Sequence, residues 1–191
     1  MAGFFATPVP VLDPPTSTVL LDRDGKLLGA TTAADQQWRF PPIDEVPPRY
    51  AAAVLRYEDK RFYWHPGVDP LSVGRAIVQN VRAGRVESGA STLTMQVVRM
   101  SRGNPARTLP EKALEALLAL RLDAAMDKDA ILAAYANNAP FGGNTVGIEA
   151  ASWRYYGHGP TDLSWGEAAA LAVLPNSPSL VRPVRNAEPA L

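Results

Sequence analysis

The run Glu58-Asp59-Lys60-Arg61-Phe62-Tyr63-Trp64-His65-Pro66-Gly67-Val68-Asp69 brings two adjacent carboxylates, an aromatic triplet and one of only two imidazoles into a short stretch. Upstream, Tyr50, Val54 and Leu55 recur at helical spacing, which puts Glu58 and Asp59 near a helix C-terminus. The macrodipole opposes a negative charge there, and a carboxylate whose pKa is raised in this way suits general-base work near neutrality. The same residues also describe a charged surface turn pinned by an aromatic anchor. Both readings stand on composition alone.

A second run, Gly89-Ala90-Ser91-Thr92-Leu93-Thr94-Met95-Gln96-Val97-Val98-Arg99, sets small and hydroxyl residues at the entry to a helix. Such an entry either exposes backbone N–H groups to phosphate oxygens or is an ordinary Ser/Thr cap. Ser91 has no partner His at hydrolase spacing, and the Gly-x-Ser-x-Gly elbow is absent. Further on, Glu111, Lys112 and Glu115 fall on one helix face, where a second carboxylate could assist chemistry, orient a cation or simply pattern a surface.

Chemistry of these kinds needs a scaffold, and 191 residues supply one ordinary domain. Nineteen basic and nineteen acidic side chains cancel, which argues against binding nucleic acid through bulk positive charge. The total hides a basic centre: from Arg56 to Arg121 there are eleven basic and six acidic residues, as expected for an anionic ligand, a lipid surface or solvated helix faces. With no Cys, and with His65 and His158 as the only imidazoles, a structural zinc site has no ligand set. No apolar run reaches the length needed to span a bilayer.

Residues 1–45 read as a Pro-rich linker followed by a β-hairpin, Val19–Leu21 and Lys26–Leu28 about an Asp24-Gly25 turn. From 46 to 191 the pattern is helical. Pro47-Pro48 opens the first helix. Asp69-Pro70 caps a second that closes at Gly84. Thr108 to Glu111 forms a capping box ahead of Leu114, Leu117, Leu118 and Leu122. Asp127 caps a helix to Asn137, another ends at Gly157, and a Ser164/Glu167 box opens a helix that stops at Pro175. The fold class expected is mainly α with a short N-terminal hairpin.

In this order the segments resemble the glycosyltransferase domain of class A penicillin-binding proteins, the peptidoglycan glycosyltransferases of glycosyltransferase family 51. The matching motifs are Glu58-Asp59-x-x-Phe62-x-x-His65-x-Gly67, then Gly89 to Gln96, Glu111 to Glu115, Ile131-Leu132-x-x-Tyr135-x-Asn137, and Leu163 to Pro175. Met95 and the run Ala139-Pro140-Phe141-Gly142-Gly143 resemble its 1C branch. Three positions depart from the family pattern: Glu111 stands in place of an opening Arg, Met100 in place of Asn, and Asn176 in place of Lys.

The resemblance implies a lysozyme-like helical fold and the polymerisation of lipid II into β-1,4-linked glycan with release of undecaprenyl pyrophosphate. Glu58 would be the general base and Glu115 the carboxylate on the leaving-group side. Arg99 and Lys112, with room for a divalent Mg or Mn ion, would neutralise pyrophosphate. Ser91, Thr92 and Gln96 would line the donor pocket, with Asp59 and His65 in support. Phe62, Tyr63, Trp64, Met95, Val97, Val98 and Met100 would form an apolar entrance at the bilayer, unless they are core.

Partners implied are lipid II, the growing lipid-linked strand, the membrane surface and cell-wall synthesis proteins, at the periplasmic face of the cytoplasmic membrane. The chain would be a piece lacking a preceding membrane helix, its own last helix and a following transpeptidase domain. A lysozyme-like lytic glycosidase and a lipid-II-binding module without turnover are the alternatives.

Overall fold

The computed structural model describes residues 12–85 and 89–175. Among them are seven α-helices and one two-stranded antiparallel hairpin. The helices are α1 (Pro48–Glu58), α2 (Pro70–Ala83), α3 (Leu93–Ser101), α4 (Leu109–Ala125), α5 (Lys128–Asn138), α6 (Ile148–Tyr156) and α7 (Trp165–Val173). The strands are β1 (Val19–Leu21) and β2 (Leu27–Ala30). The described residues fall into two compact units, one of Glu58–Leu132 and one of Asp13–Tyr57 with 133–175.

In the first unit, local signals set the helix ends. The Asp69 carboxylate accepts from Leu71 N at 3.1 Å, Pro70 supplies the preset first turn, and Gly84 closes α2 at φ +63°. Thr92 caps α3, whose residues Leu93, Thr94, Met95, Val97 and Val98 are buried. Helix α3 packs on α4.

One expectation about α4 needs correction. Thr108 does accept from Glu111 N, but the Glu111 carboxylate pairs with Arg102, so the capping box is only half formed. The buried stripe is Glu115, Ala119 and Leu122, while Leu114 and Leu117 are exposed. Of the four leucines at helical spacing only Leu122 is buried, and the helix turns Glu115 inward beside it.

The second unit holds the hairpin, α1 up to Tyr57, the later turns of α5, α6 and α7. The hairpin turn is made by Asp22, whose carboxylate accepts from Asp24 N and Lys26 N, both at 2.8 Å. Asn137 clamps the backbone of Ile43, accepting from its N–H and donating to its carbonyl, each at 2.9 Å. Tyr50, Phe141, Ile148, Leu163, Leu171 and Leu174 are fully buried here. Ser164 and Glu167 form the complete capping box expected for α7.

Asp69 supports a first prediction. Burial alone would raise its pKa, but the Arg61 guanidinium, 2.6 Å from Oδ2, and Ser72 outweigh that and hold the carboxyl at about 2. A depressed folded-state pKa adds stability above the ordinary carboxylate range, and this is lost as pH falls through about 2. Asp69→Asn keeps an N-cap and loses the ion pair. It is expected to cost about 1–2 kcal/mol at pH 7. The gap to the parent chain should close in denaturant melts run down to acid, whereas Asp69→Ala, which also loses the cap, should retain a deficit there.

Candidate active site

Every residue assigned to catalysis or substrate binding from the sequence lies in the first unit. Glu58 is the last residue of α1 and half-buried, and Gln96 on α3 donates from Nε2 to its Oε2 at 2.9 Å. The bond joins the first two motifs and fixes one carboxylate oxygen.

Asp59 and His65 are both buried. His65 Nε2 faces the two Asp59 oxygens at 2.9 and 3.0 Å, so the tautomer assigned by this partner carries its proton on Nε2. Asp59 Oδ2 also accepts from Leu93 N at 3.1 Å. One carboxylate thereby holds the first-motif loop closed and stitches it to the start of α3. Next to it, Thr92 Oγ1 donates to the Gly67 carbonyl at 2.5 Å and accepts from Met95 N at 3.2 Å. Asp59, His65 and Thr92 therefore shape the site from within.

These bonds decide between the two readings of the α3 entry. The N–H groups of Leu93 and Met95 are already taken by Asp59 and Thr92, and Thr94 is fully buried. The entry is an N-cap and not an open phosphate cradle. Ser91, just before it, is exposed.

On α4, Glu115 is only 7% exposed and makes no hydrogen bond or ion pair among the described residues. A carboxyl group on the inward face of α4 beside Ala119 and Leu122 is a candidate for function. Lys112, one turn earlier, is exposed. Arg99 donates from Nη2 to the Pro105 carbonyl at 2.9 Å, so it also braces the segment leading to α4. The opposite face of α4 lines an apolar groove of about 540 Å³, with Ala113, Leu117 and Leu120 across from Val68 and Val73.

The expected apolar entrance is mostly core: Phe62 is buried in its turn, and Met95, Val97 and Val98 are buried on α3. Tyr63 and Trp64 remain outside, Trp64 at 87% exposure. Asn176 lies outside the described residues. No three His, Asp or Glu side chains gather into an ion site among the described residues; a divalent ion bound here would be held by one or two carboxylates together with the phosphates of a substrate. Lys128, held by Asp123, also grips the first-motif loop, and sequence reasoning missed both residues. Their only signal was a Lys in the first turn of a helix, where acids are preferred.

A helical scaffold carrying these motifs in this order defines a sugar-polymer transferase domain, and the transglycosylase family profile matches residues 24–191. The chain belongs to that family, and its fold is the mainly α, lysozyme-like class with a short N-terminal hairpin. It is similar to penicillin-binding protein 1C of Escherichia coli (strain K12), 47% identical over 179 residues, which is 93% of this chain and 23% of that protein. Penicillin-binding protein 1A of Aquifex aeolicus (strain VF5) is 37% identical over 178 residues, 93% of this chain and 24% of the relative. That of Neisseria flavescens is 39% identical over 177 residues, with 93% and 22% covered. The chain thus spans about a quarter of the length of these relatives.

Proposed function

We propose that this chain is a peptidoglycan glycosyltransferase domain that polymerises lipid II into β-1,4-linked strands by inverting transfer, releasing undecaprenyl pyrophosphate. The observation that carries the reading is the Glu58 carboxylate, half-exposed at the end of α1 and aimed by Gln96. Glu58 accepts the proton of the acceptor sugar's 4-hydroxyl as that oxygen attacks the donor's anomeric carbon. Pyrophosphate leaves without needing a full proton, so the other side of the site works by charge. Arg99 and Lys112 neutralise the leaving group, and Glu115 stands on the leaving-group side. Ser91 and Gln96 contact the donor, and Asp59, His65 and Thr92 hold the pocket in shape.

The working location is the periplasmic face of the cytoplasmic membrane. No helix among the described residues is long and apolar enough to cross a bilayer. Contact with the membrane surface is supported by Trp64 and by Leu71, Ile77 and Val81, which leave the start and outer face of α2 apolar and exposed.

The deciding experiment incubates the chain with lipid II and, separately, with finished glycan. Polymer from lipid II supports the transferase. Shortening of finished strands indicates a lytic glycosidase, and tight binding of lipid II without product indicates a binding module. Within that assay, Arg99→Ala is expected to weaken lipid II binding and rate together by about tenfold, because a cation facing pyrophosphate acts in the ground state as well. Glu115→Gln is expected to lower the rate by about tenfold with affinity nearly kept, checked by single-turnover kinetics against binding isotherms.

A further inference from the structure

Lys128 opens α5 where helix electrostatics disfavour a cation. Its ammonium nevertheless turns inward, and the side chain is 20% exposed. It donates to Asp123 Oδ1 at 2.5 Å and to the His65 carbonyl at 2.7 Å, and it lies 4.6 Å from the centroid of the Phe62 ring. The neighbouring acid Asp129 accepts from the Tyr63 hydroxyl at 2.8 Å. The first turn of α5 thus holds Phe62 by its ring, Tyr63 by its phenol and His65 by its carbonyl. His65 passes the constraint on through Nε2 to Asp59, which directly follows Glu58 and also receives Leu93 N.

We propose that Lys128, oriented by Asp123, is a positioning residue for the Glu58 carboxylate: it fixes the 62–65 turn, and through His65 and Asp59 it sets where the end of α1 points. The inference rests on the transferase reading of Glu58. A base acts only within hydrogen-bond reach of its proton, so a loop that drifts by an ångström loses rate while the substrate still binds.

The test uses the full chain with Lys128→Met, Lys128→Arg and Asp123→Asn, reading kcat and KM on lipid II together with ring signals of ¹⁵N-labelled histidine. The chain has two histidines, so His158 serves as internal reference. In Lys128→Met, kcat is expected to fall roughly 10- to 30-fold, with KM changed by less than about threefold. The His65 ring signals should move while those of His158 stay. Lys128→Arg, which keeps charge and donors, should recover most of kcat.

A folded Lys128→Met at parental kcat overturns the inference, as does a loss carried by KM with the His65 signals unmoved. If Lys128→Met does not fold, the other two variants decide. Near-parental Lys128→Arg with a lowered kcat in Asp123→Asn supports the proposal, and any other combination overturns it. A parent chain that makes no polymer removes the transferase reading itself. The His65 signals in Lys128→Arg and Asp123→Asn then decide alone: unmoved in both, they overturn the Lys128 assignment, and moved only in Asp123→Asn, they support it.

Discussion

Glu58→Gln is expected to slow single-turnover polymerisation of lipid II by about 10²- to 10⁴-fold, with lipid II affinity nearly unchanged. The amide keeps the volume of the carboxylate and one acceptor oxygen. Gln96 Nε2 can therefore still donate across the 2.9 Å contact, and the end of α1 should stay in place. What disappears is the ability to take a proton at neutral pH. The acceptor hydroxyl must then attack while still protonated, a defect of the transition state and not of the bound substrate. Gln96→Ala is the companion variant: it removes the Nε2 donor without removing the base and should cost less. Near-parental polymerisation by Glu58→Gln would remove Glu58 from the base role, and equal losses of affinity and rate would make it a binding residue.

Gly67→Ala carries the largest expected loss of stability. Gly67 sits at φ +84°, and an added Cβ would run into the Ala119 carbonyl oxygen and carbon of α4. The left-handed backbone costs an alanine about 1–2 kcal/mol, and the collision, against backbone that cannot rotate away, adds about 1–3 kcal/mol. A total near 3 kcal/mol corresponds to roughly 6–12 °C in Tm for a chain of this size. Gly84→Ala separates the two contributions, because Gly84 also has positive φ (+63°) but its added Cβ meets no atom of the described residues within 4 Å. It should lose only the conformational part, about 1 kcal/mol. Activity should fall with Gly67→Ala well below its melting point, since Thr92 Oγ1 donates to the Gly67 carbonyl and the loop runs on to His65 and Asp59. Equal melts for the two variants would refute the close approach to α4.

Helix ends were the most legible part of the fold, because their causes are local. Pro48, Asp69-Pro70, Gly84, Gly157 and the Ser164/Glu167 box each act within a turn, and α1, α2, α6 and α7 begin or end there. Faces were less legible. In α4 the spacing of Leu114, Leu117, Leu118 and Leu122 marks a helix, yet of these only Leu122 is buried, beside Glu115 and Ala119 on the helix that packs against α3. A face is chosen by the neighbour it meets, and the neighbour is not in the local pattern. The Glu111 side chain shows the same limit: the spacing fits a capping box, and a distant Arg102 takes the carboxylate. At the site, the residue types of the first two motifs were readable from sequence. Their pairings were not, since Asp59 with Leu93 and Lys128 with His65 join residues far apart in the chain.

Two of those pairings nest. Asp59 meets Leu93 across 34 positions and Gly67 meets Thr92 across 25, so the chain from 68 to 91 leaves and returns through ends tied side by side. Once the outer tie has formed, the inner one closes a loop whose entropy is largely spent already. The length of such an excursion then hardly matters to the residues at its base, because doubling it costs only about 0.6 kcal/mol. Ala76 is the one residue of α2 with a buried side chain. The segment carrying α2 is therefore the place where this fold can lengthen, shorten or be exchanged for another sequence while the carboxylate end of α1 and the cap of α3 keep their register.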